Sequence, residues 1–120
     1  MRSLRITIAA VSILLLSSLT ACRTALVETT IANRSGSELR VVQVDYPSAS
    51  FGAERIAAGA DYHYSFRIQG SRPLKLSYND SANHEHHFIG PTLYEGQQGS
   101  LLITIDGPDH ATFAPQLMPR

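Results

Sequence analysis

Between Asn83 and Gly90 the chain reads Asn-His-Glu-His-His-Phe-Ile-Gly, which places three of its five histidines and a glutamate in four consecutive positions. Imidazoles ligate zinc and copper and titrate near neutral pH, so a cluster of them is where chemistry is first sought. On an extended strand, side chains two positions apart share a face, so His84 and His86 project together about 7 Å apart. Glu85 and His87 then project from the other face. A tight transition-metal site wants three or four ligands. His84 and His86 therefore need a third group: Asp80 across the preceding loop, Glu85 if the segment is irregular, or His63 or His110 from another strand. Without it the segment is a solvated hairpin tip, whose imidazoles charge together below about pH 6.5 and repel one another.

Other reactive patterns are missing from the sequence. It contains no Gly-x-Ser-x-Gly elbow and no phosphate-cradling glycine loop. Asp109 and His110 are adjacent, and neighbours on a strand point to opposite faces, so they form no acid–base couple by themselves. The expectation is a protein that is not an enzyme and holds no cofactor, zinc or copper at the histidines being the alternative. Among the aromatics, Tyr46 before Pro47 and Tyr94 in a glycine-flanked loop are candidates for exposed partner contacts. Tyr62, Tyr64 and Phe66 alternate with polar residues and belong to a core face.

The elements that must position these residues begin only after a processing signal. Met1 to Arg5 carries two arginines, and Ile6 to Leu16 follows as an apolar run of 11 residues. That is the order of a secretory signal peptide, and it falls short of the roughly 20 residues a membrane-spanning helix needs. Leu19-Thr20-Ala21-Cys22 follows, ending on the chain's single cysteine. These four residues resemble the lipobox of bacterial lipoproteins. The resemblance implies cleavage before Cys22, a diacylglyceryl group on its sulfur, acylation of the new amino terminus, and attachment to a membrane of the bacterial envelope. Two or three acyl chains anchor stably where one alone does not. Arginine rather than aspartate at position 23 leans, within that family, toward the periplasmic face of the outer membrane.

Removal of residues 1 to 21 leaves 99 residues, the size of one domain. Arg2 and Arg5 leave with the signal, so ten basic and ten acidic residues become eight and ten, a net charge of −2. No basic stripe is left to grip nucleic acid. With the one cysteine given to lipid, no intramolecular disulfide forms, and burial alone must stabilise the domain.

The mature chain has no helical period of useful length. Short apolar or alternating runs are separated by turn residues: Ala25 to Ala32, Glu38 to Tyr46, Phe51 to Ile56 as an edge, Asp61 to Ile68, Leu74 to Tyr78, His84 to Ile89, Ser100 to Asp106 and His110 to Ala114. Seven or eight such strands predict an all-β fold, a single antiparallel β-sandwich over 25–114, after a linker at 22–24 and before a frayed tail at 115–120. The strand spacing is similar to that of small Ig-like or fibronectin-like sandwiches, without the tryptophan and paired cysteines of true immunoglobulin domains. Two functions fit: a membrane-anchored module that binds another envelope protein, or a periplasmic copper- or zinc-binding protein using His84, His86, Asp80 and Glu85.

Overall fold

The computed structural model describes residues 25–119. Cys22 and the signal segment lie outside the described residues. Eight strands follow one another: β1 (Val27–Asn33), β2 (Leu39–Tyr46), β3 (Ala49–Ile56), β4 (Asp61–Phe66), β5 (Arg72–Asn79), β6 (Glu85–Leu93), β7 (Gln98–Gly107) and β8 (His110–Met118). They form two four-stranded sheets, ordered β4-β1-β7-β8 and β3-β2-β5-β6, packed as a β-sandwich. All pairings are antiparallel except β1 with β7, which run parallel with Ile31 opposite Ile103.

Alternation decides which side of each strand is buried. Val27, Thr29 and Ile31 of β1, Leu74, Leu76 and Tyr78 of β5, and Leu101, Ile103 and Ile105 of β7 all point between the sheets. At one lateral edge, where β3 faces β4, aromatic rings fill the gap: Phe51 stacks on Tyr64 at 4.3 Å and Tyr46 on Phe66 at 4.1 Å. The Tyr62 hydroxyl donates to the Gly52 carbonyl at 3.1 Å, joining the two edge strands. At the other edge, a side-chain carbon on Gly90 would lie 3.0 Å from the Phe113 ring, so only glycine lets β6 approach β8 this closely.

Strand β2 departs from simple alternation. Leu39 and Val42 are both buried although three residues apart, which a regular strand cannot provide. A bulge between Arg40 and Gln43 supplies the extra residue, with Val41 held at φ 48° and its side chain exposed. A β-branched residue in the left-handed region carries strain of about 1–3 kcal/mol, so the surrounding pairing must hold it there. Opposite the bulge, a carbon on Gly52 would sit 2.3 Å from the Val42 carbonyl oxygen.

Two boundaries differ from the sequence expectation. Strand β6 runs on through Gly90 and Pro91 to Leu93, and β8 runs through Pro115 to Met118, so no frayed tail begins at 115. Both are edge strands, where a proline's missing N–H need not break a ladder. The remaining predicted strands are present. The predicted edge strand at Phe51 to Ile56 is β3, which does close one sheet.

The pairings sort the connections onto two ends. Val27 lies opposite Phe66 and Gly99, and Gln98 opposite Met118. The entry of the chain, the loop after β4, the loop between β6 and β7 and the close of β8 therefore share one end, with the β2–β3 turn. The β1–β2, β3–β4, β5–β6 and β7–β8 connections share the other. Asn33, fully buried, organises that second end. Its Nδ2 donates to the carbonyls of Ser37 (2.8 Å), Ile56 (3.0 Å) and Ala57 (3.1 Å). Its Oδ1 accepts from the Ser35 amide (3.1 Å) and hydroxyl (2.6 Å), the Asx turn expected of Asn-Arg-Ser-Gly.

Candidate functional site

The histidine segment lies at this second end, and the turn before it is built by Asp80. Its Oδ1 accepts the amides of Ala82 and His84, each at 2.9 Å, while its own amide donates to the His84 carbonyl at 2.9 Å. Asn83 takes a left-handed φ of 63°, a conformation asparagine tolerates well. The turn holds the other carboxylate oxygen of Asp80 toward β6, where it lies 2.8 Å from Nε2 of His86.

His86 is the one member of the cluster whose side chain is largely buried, at 14 % exposure. Its second nitrogen, Nδ1, lies 3.0 Å from the Asp109 carboxylate on the β7–β8 turn. The ring stacks on Tyr78 at 5.0 Å. The Tyr78 hydroxyl in turn reaches the Pro108 carbonyl at 3.4 Å. One imidazole thus joins a hairpin of each sheet, held between two carboxylates.

An imidazole donates from both nitrogens only when protonated. The Asp80 and Asp109 contacts therefore favour the imidazolium and hold the His86 pKa above its ordinary value, Asp80 contributing most. Reciprocally, the contact from His86 and then the His84 amide hold the Asp80 carboxyl below the usual range. Burial, followed by the nearby charges of Asp109 and Asp80, pushes Tyr78 up to about 12.

The structure brings the predicted ligands Asp80 and His86 together and sets the others apart from His86. His84 precedes the strand, is 77 % exposed, and its Nδ1 stands 3.8 Å from Asp80. Glu85 and His87 do share the opposite face, 3.1 Å apart and both in solvent, so Glu85 does not join His86. His110 pairs with Asp106, whose carboxyl is held low chiefly by that contact. His63 is on β4, hydrogen-bonded to Thr30 at 3.0 Å, at the far edge of its sheet from β8. Among the described residues no group of three or more His, Cys, Asp or Glu side chains is gathered as a metal site would require. Both nitrogens of His86 face carboxylates, so a metal ion or a substrate proton would compete with Asp80 or Asp109 for either one.

Tyr46 does not fill the contact role expected of it: it is 8 % exposed and stacked in the aromatic edge. Pro47 ends the strand, but the inward phase set by Val42 and Val44 turns Tyr46 into the core. Tyr94 is exposed, as expected, at the chain-entry end. Sequence reading missed Asp109 and Tyr78 as partners of His86. Tyr78 sits on the core face of its strand, and only the packing of one hairpin against the other brings Asp109 near.

No family model matches the chain, and no curated protein matches its sequence. The fold is similar to the NMR structure of the protein from Eubacterium rectale, with a TM-score of 0.55 over 76% of this chain and 88% of that one. Sequence identity is 6%, so the likeness is one of fold alone.

Proposed function

We propose that the mature chain is a lipid-anchored protein of the bacterial envelope, without catalytic activity, whose sandwich serves as an interaction module for another envelope protein. The observation that carries this reading is the order of a charged start, an apolar run and Leu19-Thr20-Ala21-Cys22 only five residues before Val27, where β1 begins. On this reading the anchor sits at the chain-entry end, and the end bearing Asp80, Glu85, His87 and Asp109 faces the periplasmic space. Arg23 supports residence at the outer membrane. Exposed edge strands β3 and β8 add backbone groups on which a partner strand can pair.

The test is Cys22→Ala in a bacterial host fed an alkyne analogue of palmitate. The native chain should take up label, float with membranes and resist carbonate extraction. The variant should lose the label and accumulate as uncut precursor. A variant that is still cut and still held by the membrane as tightly as the native chain would overturn the anchor.

A further inference from the structure

Resting on the lipid-anchor reading, we infer that the chain-entry end of the sandwich lies against the bilayer, with Leu26, Tyr94 and Met118 in the interface and Arg67 and Arg72 facing anionic headgroups.

The three apolar side chains are 41%, 56% and 61% exposed, and the backbone gathers them at one end. The Gly99 amide donates to the Leu26 carbonyl at 3.1 Å, and Met118 lies opposite Gln98 on the adjoining strand. Tyr94 opens the turn into β7, closed by its amide on the Gln97 side chain at 2.9 Å and by the Gln97 amide on its carbonyl at 3.2 Å. That turn is tied to the loop after β4, through the Gly96 amide on the Ile68 carbonyl, the Gly70 amide on Glu95 and the Glu95 amide on Ser71, each at 3.3 Å. Arg67 and Arg72 are exposed at either end of that loop. Glu95 brings a negative charge to the same end, and its carboxylate is turned onto the Gly70 amide.

The opposite end has the reverse character. Among the described residues its connections carry no exposed large apolar side chain; they hold Asp80 and Asp109 on either side of His86, and Arg34, which pairs with Asp61 at the start of β4 at 2.9 Å. That end offers the interface no large apolar side chain, and the chain-entry end offers three. Tyrosine, with an apolar ring and a polar tip, is enriched at the headgroup level of membranes, and arginine is drawn to anionic lipid.

Chain length makes the choice of occupant definite. From Cys22 to Leu26 there are four residue steps, a reach of at most about 14 Å at roughly 3.5 Å per residue. A strand of the length of β7, 10 residues, spans about 33 Å. The tether is shorter than the sandwich, so lipid on Cys22 holds the Leu26 end at the surface.

The experiment uses the mature lipidated chain, in which lipid blocks the Cys22 sulfur so that one introduced thiol is the only reactive one. Thiols placed by Tyr94→Cys, Met118→Cys and, at the far end, Ser35→Cys carry an environment-sensitive dye. The proteins are reconstituted into phosphatidylethanolamine vesicles containing phosphatidylglycerol, and flotation with mass analysis first establishes that each is lipidated and bound. A chain that fails that step refutes the anchor, a result separate from the one sought. Bound dyes at 94 and 118 should be quenched several-fold more by brominated lipid than the dye at 35, and less by iodide. Arg67→Glu/Arg72→Glu should bring positions 94 and 118 close to the value at 35. Equal iodide access at all three positions overturns the proposal. So does protection from iodide at 94 and 118 without quenching by lipid, which would make the cover a protein or a second copy of the chain.

Discussion

Replacing Asn33 by alanine removes the buried side chain that ties the β1–β2 loop to the end of β3 and the turn after it. Nδ2 carries two hydrogens, so its contacts with the Ser37, Ile56 and Ala57 carbonyls represent two donated bonds, one of them shared. Two more bonds are accepted from Ser35. At about 1 kcal/mol net for each bond the ceiling is about 4 kcal/mol. Ser35 and Ser37 are at the surface and recover part of their loss from water, whereas the buried contact to Ile56 does not, which sets the lower bound near 2 kcal/mol. For a domain of this size each kcal/mol moves the midpoint of thermal unfolding by about 4–8 °C, so a fall of about 10–25 °C is expected. Urea denaturation followed by far-ultraviolet circular dichroism reads the free energy directly, with the slope unchanged if the native state stays intact. Asn33→Asp keeps the oxygen that serves Ser35 but turns a second oxygen onto the Ile56 and Ala57 carbonyls, and at pH 7 it should be the worse variant. A loss below about 1 kcal/mol for alanine, or aspartate tolerated as well as asparagine, would refute the role assigned to Asn33.

The His86 clamp makes stability depend on pH in a definite direction. The raised His86 pKa gives a contribution complete below its unfolded value of about 6.5 and lost as pH climbs through the folded value; the lowered Asp80 pKa gives one that holds above about 3.9 and is lost as pH falls through its folded value. The urea midpoint should therefore be higher at pH 5.5 than at pH 8.5, and His86→Gln should flatten that difference; a profile unchanged by the substitution would remove the clamp from the account. Zinc or copper should leave the unfolding midpoint where it is, because coordination by His86 must first displace a carboxylate, whereas a rise of about 2.7 kcal/mol at a hundredfold excess over Kd, abolished by His84→Ala/His86→Ala, would restore the metal reading. Val41→Asn should stabilise by about 1 kcal/mol, since asparagine tolerates the left-handed backbone there and the exposed valine side chain contributes little packing; a destabilised variant in thermal unfolding would show that Val41 is not strained.

What the sequence disclosed about the fold followed from local pattern. Leu74, Leu76 and Tyr78, or Leu101, Ile103 and Ile105, reveal a strand and its buried face because a period of two needs no knowledge of the partner. Pro91 and Pro115 misled because a proline reads as a strand end unless the strand is known to be an edge, which is a property of the whole sheet. The bulge at Val41 was visible only as a conflict, with Leu39 and Val42 both apolar and out of phase. The candidate site was less legible. The two-faced split of the histidine segment follows from strand geometry and holds for Glu85, His86 and His87, but the burial of His86 depends on Asp109, more than twenty positions away on another hairpin. Tyr46 shows the same limit, since the residue before a proline is exposed or buried according to what stacks on it.

The parallel pairing of β1 with β7 bears on when the protein becomes folded. Ile31 meets Tyr62 on one side and Ile103 on the other, so the first strand finds its second partner only when almost the whole chain is present. Within the other sheet, β2 with β3 and β5 with β6 are hairpins joined by short turns. Closing short loops is fast, and closing long ones slows folding. The hairpins should gain hydrogen-exchange protection first, at Val44 and Leu76, with Ile31 following. β1 therefore waits longest for its full set of partners. On the proposed lipid-anchor reading, processing at Cys22 comes before the sandwich is complete.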